Sequence, residues 1–247
     1  MNRVENKICV ITGAASGLGK ASAELLAGEG AKLVLADIDD AAGEALAASL
    51  PDAIYCHCDV SEEADWERLM SAAQSHYGGV DVLVNNAGIA VMATIEKTSL
   101  EQWERVQKIN STSVFLGCKY GIAAMKERGG SIINMSSMAA MIGVPLFAAY
   151  TASKGAVRSL TKTVALYCRQ KQYGIRCNSI HPGGINTPMG AKALEDADAE
   201  DLSLLSDDGS TMGEPEDIGW MVVYLASDES RHVNGAEMLV DNAFTAA

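Results

Sequence analysis

The sequence lacks any apolar run long enough to cross a membrane. Its longest weakly polar stretch begins at Ala139, is shorter than a bilayer-spanning helix and is interrupted by Gly143 and Pro145. The first residues are polar and lead into an apolar run without the hydrophobic core of a signal peptide. We therefore expect a cytoplasmic protein that does not bind a membrane.

Basic side chains are also scarce. The 247 residues include 19 Lys and Arg against 32 Asp and Glu, which gives a formal net charge of −13. Because such a polyanion repels nucleic acid and anionic lipid, neither is an expected partner. The acids are densest between Glu195 and Asp208, where no base occurs. That cluster is typical of a solvated face, and a docking site is the alternative.

The six cysteines are too scattered to suggest a disulfide framework. The run Cys56-His57-Cys58 places two thiols around an imidazole, but no second pair of ligands lies at the spacing that a zinc site requires. We expect reduced cysteines that pack in the interior, and no metal site.

Apolar runs alternate with helical stretches along the chain, and most of the runs are nearly continuous, as in parallel strands covered on both faces. The pattern predicts one α/β domain over 1–247, a Rossmann-like doubly wound three-layer sandwich with a parallel sheet of about seven strands. Strands are predicted at 7–13, 32–37, 53–60, 80–88, 130–137, 174–180 and 236–242. Helices are predicted at 17–29, 40–49, 62–77, 99–127, 150–172 and 214–226. Segment 186–213 has weak periodicity, and we expect a mobile lid beside the strand ends.

The first predicted strand leads into the glycine-rich run TGAASGLG, residues 12–19. Small residues at such a turn let backbone amides and the next helix N-terminus approach a pyrophosphate. Tight packing alone is the alternative explanation, but the position between the first strand and the first helix favours a dinucleotide.

The second predicted strand ends at Asp37, where a carboxylate can accept both ribose hydroxyls of an adenosine. Asp39 and Asp40 follow, with no Lys or Arg beside them. Because a 2′-phosphate would be repelled there, we predict NAD rather than NADP. A role of Asp37 as a turn or cap residue is the alternative.

The run AAYTASKGAV places Lys154 one helical turn after Tyr150. Free tyrosine has a pKa near 10 and is a poor base at pH 7. Burial would raise that pKa further, whereas a nearby ammonium lowers it. The pair therefore predicts a tyrosine that acts as general base or acid, and a packed tyrosine with a surface lysine is the alternative.

Together, the motifs resemble the short-chain dehydrogenase/reductase family in its single-domain branch. Besides the runs already quoted, they are CDV at 58–60, NNAG at 85–88, KINSTSVF, INMSS and HPGGINTP at 181–188. The nearer likeness is to bacterial 3β/17β-hydroxysteroid dehydrogenases and related secondary-alcohol dehydrogenases. The last strand departs from the family, with Asp241-Asn242-Ala243 where Asp-Gly-Gly is frequent.

The resemblance implies catalytic roles for Asn110, Ser137, Tyr150 and Lys154. Ser137 would hydrogen-bond the substrate oxygen, and Lys154 would also grip the nicotinamide ribose. The backbone of Asn110 would hold a water that links Lys154 to solvent, unless Asn110 is only a helix-kink residue. Of the histidines, none has a sequence partner that makes it catalytic, and we expect structural or surface roles for them.

The resemblance also assigns the cofactor contacts, which lie in the loops after the strands. Thr187 in this set could equally be a helix cap before Pro188. The expected NAD-binding residues are Gly13, Ser16, Gly17, Leu18, Gly19, Asp37, Ile38, Asp59, Val60, Asn86, Ala87, Gly88, Tyr150, Lys154, Pro182, Gly183, Ile185 and Thr187.

The expected substrate walls, 89–95, 138–147 and the lid 186–213, are mostly apolar and rich in methionine. They predict a bulky hydrophobic secondary alcohol or its ketone, such as a hydroxysteroid, a terpenoid or an aromatic carbinol, although some of these residues could instead be core or subunit interface. A 3-oxoacyl-thioester reductase is the alternative enzyme, against which Asp37 and the negative charge argue. A non-catalytic NAD-sensing scaffold is the alternative of another class. By resemblance, we expect a homotetramer formed through helices 99–127 and 150–172 and the last strand.

Overall fold

A seven-stranded parallel sheet runs through the computed structural model of the protein, which describes residues 2–195, 197–198, 202 and 212–246. The strand order is β3-β2-β1-β4-β5-β6-β7. The strands are β1 (Ile8–Thr12), β2 (Lys32–Asp37), β3 (Ala53–His57), β4 (Val82–Asn85), β5 (Gly130–Met135), β6 (Ile175–Pro182) and β7 (Glu237–Val240).

Helices cover both faces of this sheet. They are α1 (Gly17–Gly28), α2 (Asp40–Ser49), α3 (Glu63–Tyr77), α4 (Leu100–Gln107), α5 (Ser113–Met125), α6 (Ala148–Gln170), α7 (Pro188–Glu195) and α8 (Pro215–Ala226). One core cluster contains buried side chains of α3, α5 and α6, and the other contains those of α1, α2 and α8. The predicted three-layer, doubly wound fold is therefore confirmed.

Two predicted strands end three residues earlier in the structure, whereas the ends of the other strands differ by at most two residues. The run 53–60 is a strand only as far as His57, because Asp59 starts a turn in which its carboxylate accepts the N–H of Ser61 at 2.9 Å. The run 80–88 is a strand only over Val82–Asn85, and 86–88 form a loop. In both cases the residues beyond the strand lie at its carboxyl end, where ligands bind in this fold.

Two predicted helical regions also differ. The helix expected at 99–127 is divided by a π-helical turn, Lys108–Thr112, between α4 and α5. Within the expected lid, the structure contains α7, which the weak periodicity did not predict. Most of the acidic cluster between Glu195 and Asp208 lies outside the described residues.

All six cysteines are free, and five of them are buried. Within the described part of the chain, no group of three or more His, Cys, Asp or Glu is placed to hold a metal ion. No helix in that part has the length and apolar character needed to span a bilayer.

The conformation of the turn after β7 explains why glycine is frequent at the two positions where this chain has Asn242 and Ala243. Asn242 and Ala243 both adopt left-handed conformations, with φ of 50° and 65°. Asp241 stabilises the turn by accepting the N–H and the hydroxyl of Thr245 at 2.9 and 2.6 Å. Alanine is unfavourable in this conformation because its Cβ approaches the backbone, whereas glycine is not.

We expect Ala243→Gly to raise the free energy of unfolding by about 1 kcal/mol, because it removes that steric cost. Asn242→Gly is the graded control and should give a smaller gain, since asparagine tolerates the left-handed region. Urea denaturation measures both variants. A loss of stability in Ala243→Gly would contradict the conformation of the turn.

Candidate active site

Three glycines shape the turn between β1 and α1. Gly13 and Gly17 have left-handed backbones, with φ of 63° and 51°. A Cβ on Gly19 would lie 2.0 Å from the carbonyl oxygen of Gly13, so α1 begins directly against the turn, with Ser16 as its N-cap. The tight packing considered as an alternative is present, and it also brings the helix N-terminus to the strand end, where a phosphate binds.

The loop after β4 is fastened to this turn. The side-chain amide of Asn86 donates to the carbonyl oxygens of Thr12 and Gly13 at 2.9 and 3.0 Å. In return, the Thr12 hydroxyl accepts the N–H groups of Asn86 and Ala87, both at 3.1 Å. A Cβ on Gly13 would come 2.8 Å from Ala87 Cα, so the two predicted cofactor-binding loops lie in contact.

Asp37 is the last residue of β2, and its side chain faces the glycine-rich turn. One carboxylate oxygen accepts the N–H of Ala15 at 2.9 Å, and the other accepts those of Ile38 and Asp39 at 2.8 and 3.1 Å. The turn-capping role considered as an alternative is thus present. The same bonds orient the carboxylate toward the edge of the turn, where the adenosine ribose would lie.

The loop after β6 lies at the same edge of the sheet. β6 ends at Pro182, and the next N–H, that of Gly183, donates to Val240 O at 2.9 Å. Ile185 forms an isolated parallel bridge with Gly213. These contacts hold the loop beside β7 and close to the start of α8.

Thr187 and the residues after β3 complete the predicted cofactor set. The Thr187 hydroxyl accepts the N–H of Gly190 at 3.2 Å, so the helix-cap alternative is present. A Cβ on Gly17 would lie 3.7 Å from Thr187 Cβ, which places the threonine over the start of α1 as well. Asp59 and Val60 lie in the turn that follows β3.

Ser137, Tyr150 and Lys154 converge beyond the carboxyl end of β5. Ser137 is extended and accepts the N–H of Ala139 at 3.1 Å, which starts a short 3₁₀ turn. Tyr150 lies in the first turn of α6, and Lys154 follows one turn later. Lys154 Nζ is 5.5 Å from the centre of the Tyr150 ring and donates to Met135 O at 2.8 Å. The predicted helical pairing of tyrosine and lysine is therefore present.

Burial dominates the electrostatics of these residues. It raises the pKa of Tyr150 above the ordinary value, while the Ser137 hydroxyl opposes that rise. It lowers the pKa of Lys154 to about 8. Of the effects on the pKa of Tyr150 in this structure, burial of the phenol is the largest.

Asn110 lies fully buried in the π-helical turn. Its amide donates to Ile89 O at 2.9 Å and to the Ser153 hydroxyl at 3.0 Å, and its side-chain oxygen accepts the N–H of Ile89 at 2.9 Å. The helix irregularity considered as an alternative is thus real. The side chain ties α6 to the loop after β4, and a Cβ on Gly88 in that loop would lie 3.5 Å from Lys154 Nζ.

Two polar neighbours of the predicted catalytic residues were not assigned to the site from the sequence. The Ser136 hydroxyl donates to Lys154 O at 2.9 Å. His181, expected to be structural or on the surface, is buried with Nδ1 3.0 Å from Ser137 O. Its position at the carboxyl end of a predicted strand was the signal that could have revealed it.

These features together fit a nicotinamide dinucleotide. The glycine-rich turn and the start of α1 would take the pyrophosphate. Gly13 and Gly19 allow the turn, the loop after β4 and the helix to approach one another closely, since a Cβ on either glycine would clash with its neighbours. Asp37 would take the adenosine ribose, and Lys154 would take the nicotinamide ribose. These groups follow neighbouring strands of the sheet and lie at the carboxyl ends of those strands, where dinucleotides bind in this fold.

Known proteins resemble this chain over nearly its whole length. A family model described as enoyl-(acyl carrier protein) reductase matches residues 13–245. The 3-beta-hydroxysteroid dehydrogenase of Comamonas testosteroni is 46% identical over 246 residues, which cover 98% of this chain and 97% of that protein. The NADP-dependent (R)-specific alcohol dehydrogenase of Lentilactobacillus kefiri is 42% identical over 250 residues, which cover 99% of each.

The fold has a similar counterpart among solved structures. The crystal structure of levodione reductase matches with a TM-score of 0.92 and 33% identity, covering 99% of this chain and 100% of that one. The similarity in sequence and in fold therefore confirms what the motifs predicted: the protein belongs to the short-chain dehydrogenase/reductase family, whose members act on CH–OH groups with a nicotinamide cofactor.

Proposed function

We propose that the protein is an NAD(H)-dependent oxidoreductase that interconverts a bulky hydrophobic secondary alcohol and its ketone. The convergence of Ser137, Tyr150 and Lys154 beside the glycine-rich turn carries this proposal. In that arrangement one hydroxyl can steady the substrate oxygen while the other exchanges its proton.

In alcohol oxidation, the ionised form of Tyr150 takes the proton of the substrate hydroxyl and becomes a neutral phenol, while the carbinol carbon loses a hydride. Ser137 hydrogen-bonds the substrate oxygen and stabilises the charge that develops on it. Lys154 supplies a positive charge close to the phenol and holds the ribose. When bound, NAD supplies the hydride acceptor in oxidation and NADH the donor in reduction. In the reductive direction the Tyr150 phenol returns the proton to the substrate oxygen, while the carbonyl carbon gains the hydride.

Apolar side chains around the cleft support a hydrophobic substrate. The wall segments 89–95 and 138–147 contain no Asp, Glu, Lys or Arg. Met141, Met189 and Met212 expose a substantial part of their surface near the strand ends. Lys192 in the lid is the only base of the three wall segments, so the walls hold no guanidinium for a bidentate bond to a carboxylate or phosphate on the substrate.

The acidic end of β2 supports NAD over NADP. Besides Asp37, Asp39 accepts the N–H of Ala42 at the start of α2. The carboxylate of Asp40 accepts the Tyr55 hydroxyl and His57 Nδ1, both at 2.7 Å. A 2′-phosphate would approach several carboxylates. The NADP-dependent relative makes this choice one to be measured in this chain.

A screen of alcohols with both cofactors tests the proposal. We expect turnover of hydroxysteroids, terpene alcohols or aryl carbinols, with kcat/KM at least about tenfold higher for NAD than for NADP, because like charges at the phosphate cost several kcal/mol. Asp37→Ser should narrow that ratio. A preference for NADP, or activity only on short charged hydroxy acids, would contradict the proposal.

The same screen distinguishes the proposed alcohol dehydrogenase from the alternative, a 3-oxoacyl-thioester reductase. The description of the matching family model names an enoyl-(acyl carrier protein) reductase. Acetoacetyl-CoA in the panel tests the alternative of a 3-oxoacyl-thioester reductase. We expect little turnover of acetoacetyl-CoA, because the chain has a net charge of −13 and the wall segments 89–95 and 138–147 contain no Lys or Arg that could pair with the anionic phosphates of this substrate. Tight binding of NADH without turnover of any alcohol would instead support the scaffold alternative.

Removal of the tyrosine hydroxyl tests the proton transfer. We expect Tyr150→Phe to lower kcat by about 10²–10⁴-fold with NADH binding preserved, because general acid–base catalysis is lost. Tyr120→Phe is the matched control, since the Tyr120 hydroxyl contacts Glu63 and Glu67 on the surface of α3. Steady-state kinetics and fluorescence titration measure both variants. Retention of most activity in Tyr150→Phe would refute the assigned role.

The pKa of Lys154 predicts how NADH binding depends on pH. The ammonium is charged below about pH 8 and loses its proton as the pH rises through that value. If it grips the nicotinamide ribose, the Kd for NADH should be constant below this range and rise above it. Lys154→Ala should bind more weakly at low pH and lack the transition. Fluorescence titrations across this range measure the Kd, and equal pH profiles for both proteins would contradict the role.

Exposed apolar side chains support assembly into a homotetramer. Trp103 and Phe115 lie on α4 and α5, Leu166 and Tyr167 on α6, and Leu239 on β7, and all five are exposed. A contact between subunits would remove these side chains from water, which is favourable. We therefore propose that α4–α6 and β7 form the contacts between subunits.

A further inference from the structure

Behind Ser137 lies a buried imidazole that the reaction outlined above does not use. His181 is the second-last residue of β6, and none of its surface is exposed. Its Nδ1 lies 3.0 Å from Ser137 O, and its Nε2 lies 2.8 Å from the hydroxyl of Ser179. Ser179 and His181 are two residues apart on the strand, so their side chains share one face of the sheet.

The two partners fix the tautomer of the ring. A carbonyl oxygen only accepts hydrogen bonds, so Nδ1 of His181 carries a proton. Nε2 of a neutral imidazole is then an acceptor, to which the Ser179 hydroxyl donates. Burial lowers the pKa of His181, which keeps the ring neutral near pH 7.

Charged groups face this ring from two neighbouring elements. Glu237 on β7 favours the charged imidazole, whereas Arg158 and Lys154 on α6 disfavour it. Glu237 is itself paired with Arg158 Nε at 2.8 Å and with Lys162. The imidazole therefore remains a neutral donor with a fixed direction.

The bonded carbonyl belongs to the serine whose hydroxyl must meet the substrate. Ser137 O also accepts the N–H of Ala140 at 3.0 Å, and the Ser137 hydroxyl accepts the N–H of Ala139. His181 thus holds the Ser137 backbone from the strand side, while the 3₁₀ turn holds it from the other side. A shift of about 1 Å in a positioned group can cost about 10²-fold in rate.

Hydrogen-bond satisfaction alone does not require a histidine at this position. Without the ring, Ser137 O keeps its bond from Ala140 N–H, and the Ser179 hydroxyl lies 3.4 Å from Ala236 O as a second acceptor. An apolar side chain of similar size would leave neither partner without a bond. The directional Nδ1–H is what such a side chain could not supply.

We propose that His181 is a positioning residue whose Nδ1–H, oriented by Ser179, fixes the Ser137 backbone so that the serine hydroxyl meets Tyr150 and the substrate oxygen. The inference rests on the proposed function, because Ser137 needs this orientation only if it acts on a substrate. His181 itself touches no reacting atom.

Three variants separate positioning from packing. His181→Leu keeps an apolar side chain in the space and removes the donor, whereas His181→Asn keeps an N–H close to the place of Nδ1. Asn178→Leu is the control on the opposite face of the same strand, where the buried amide of Asn178 bonds Val233 O and Ala236 N–H, both at 2.9 Å. Thermal denaturation gives the folded fraction of each variant.

We expect His181→Leu to lower kcat on the best alcohol of the screen by about 10–100-fold, with an unchanged Kd for NADH, because only the serine is displaced. His181→Asn should recover most of that loss. Asn178→Leu should lower the thermal midpoint while the kcat per folded molecule stays at the wild-type value. Nitrogen NMR shifts should place the ring proton on Nδ1 both in the wild type and in Ser179→Ala, because the Ser137 carbonyl alone requires it there.

The outcomes distinguish a failure of the positioning role of His181 from a failure of the proposed function. A wild-type kcat in His181→Leu, no recovery in His181→Asn, or a proton on Nε2 of the wild-type ring would overturn the positioning role alone. A wild-type protein that turns over no alcohol would overturn the proposed function instead. If His181→Leu does not fold, Ser179→Ala replaces it: a lower kcat with unchanged NADH affinity supports the role, and an unchanged kcat overturns it.

Discussion

Strand β1 lies between β2 and β4, so the chain leaves β1 and β4 toward opposite faces of the sheet. The helix after β1 packs in one core cluster, and α5, which follows β4 through α4, packs in the other. This divergence opens a crevice at the carboxyl ends, and Asn86 and Thr12 fasten its two walls together. The positions of all other groups at the site follow from this crevice, because neighbouring parallel strands end along the same edge.

Burial then sets the chemistry inside the crevice. It raises the pKa of Tyr150 and lowers that of Lys154, so both groups move toward their neutral forms. Groups with pKa values perturbed in this way concentrate at functional sites. The Met135 carbonyl partly offsets the cost of burying the Lys154 ammonium by accepting its hydrogen bond. The Ser137 hydroxyl partly offsets the rise in the pKa of Tyr150 by stabilising its ionised form.

At the opposite edge of the sheet, basic side chains cap the carboxyl ends of helices. A cavity of about 740 Å³ there is lined in part by Lys7, Arg128 and Arg176. These cations donate to carbonyl oxygens of Ala226, Gly78 and Leu225, at or just beyond the carboxyl ends of helices. Cations stabilise helix C-termini and anions stabilise N-termini, so each edge follows the helix dipoles. The edge that offers N–H groups is therefore the edge that suits an anionic cofactor.

The sequence by itself determined the alternation of strands and helices, the glycine-rich turn and the pairing of Tyr150 with Lys154, because each is a local pattern with a fixed period. Only the tertiary structure decided which distant groups meet. It placed His181 against Ser137, 44 residues away, and made a carbonyl at Met135 the partner of the ammonium. It also decided that Tyr150 is partly buried, which raises the pKa of its phenol, and that the chain at Asn110 forms a π-helical turn. These outcomes depend on strand order and on enclosure by neighbouring elements, which no local period encodes.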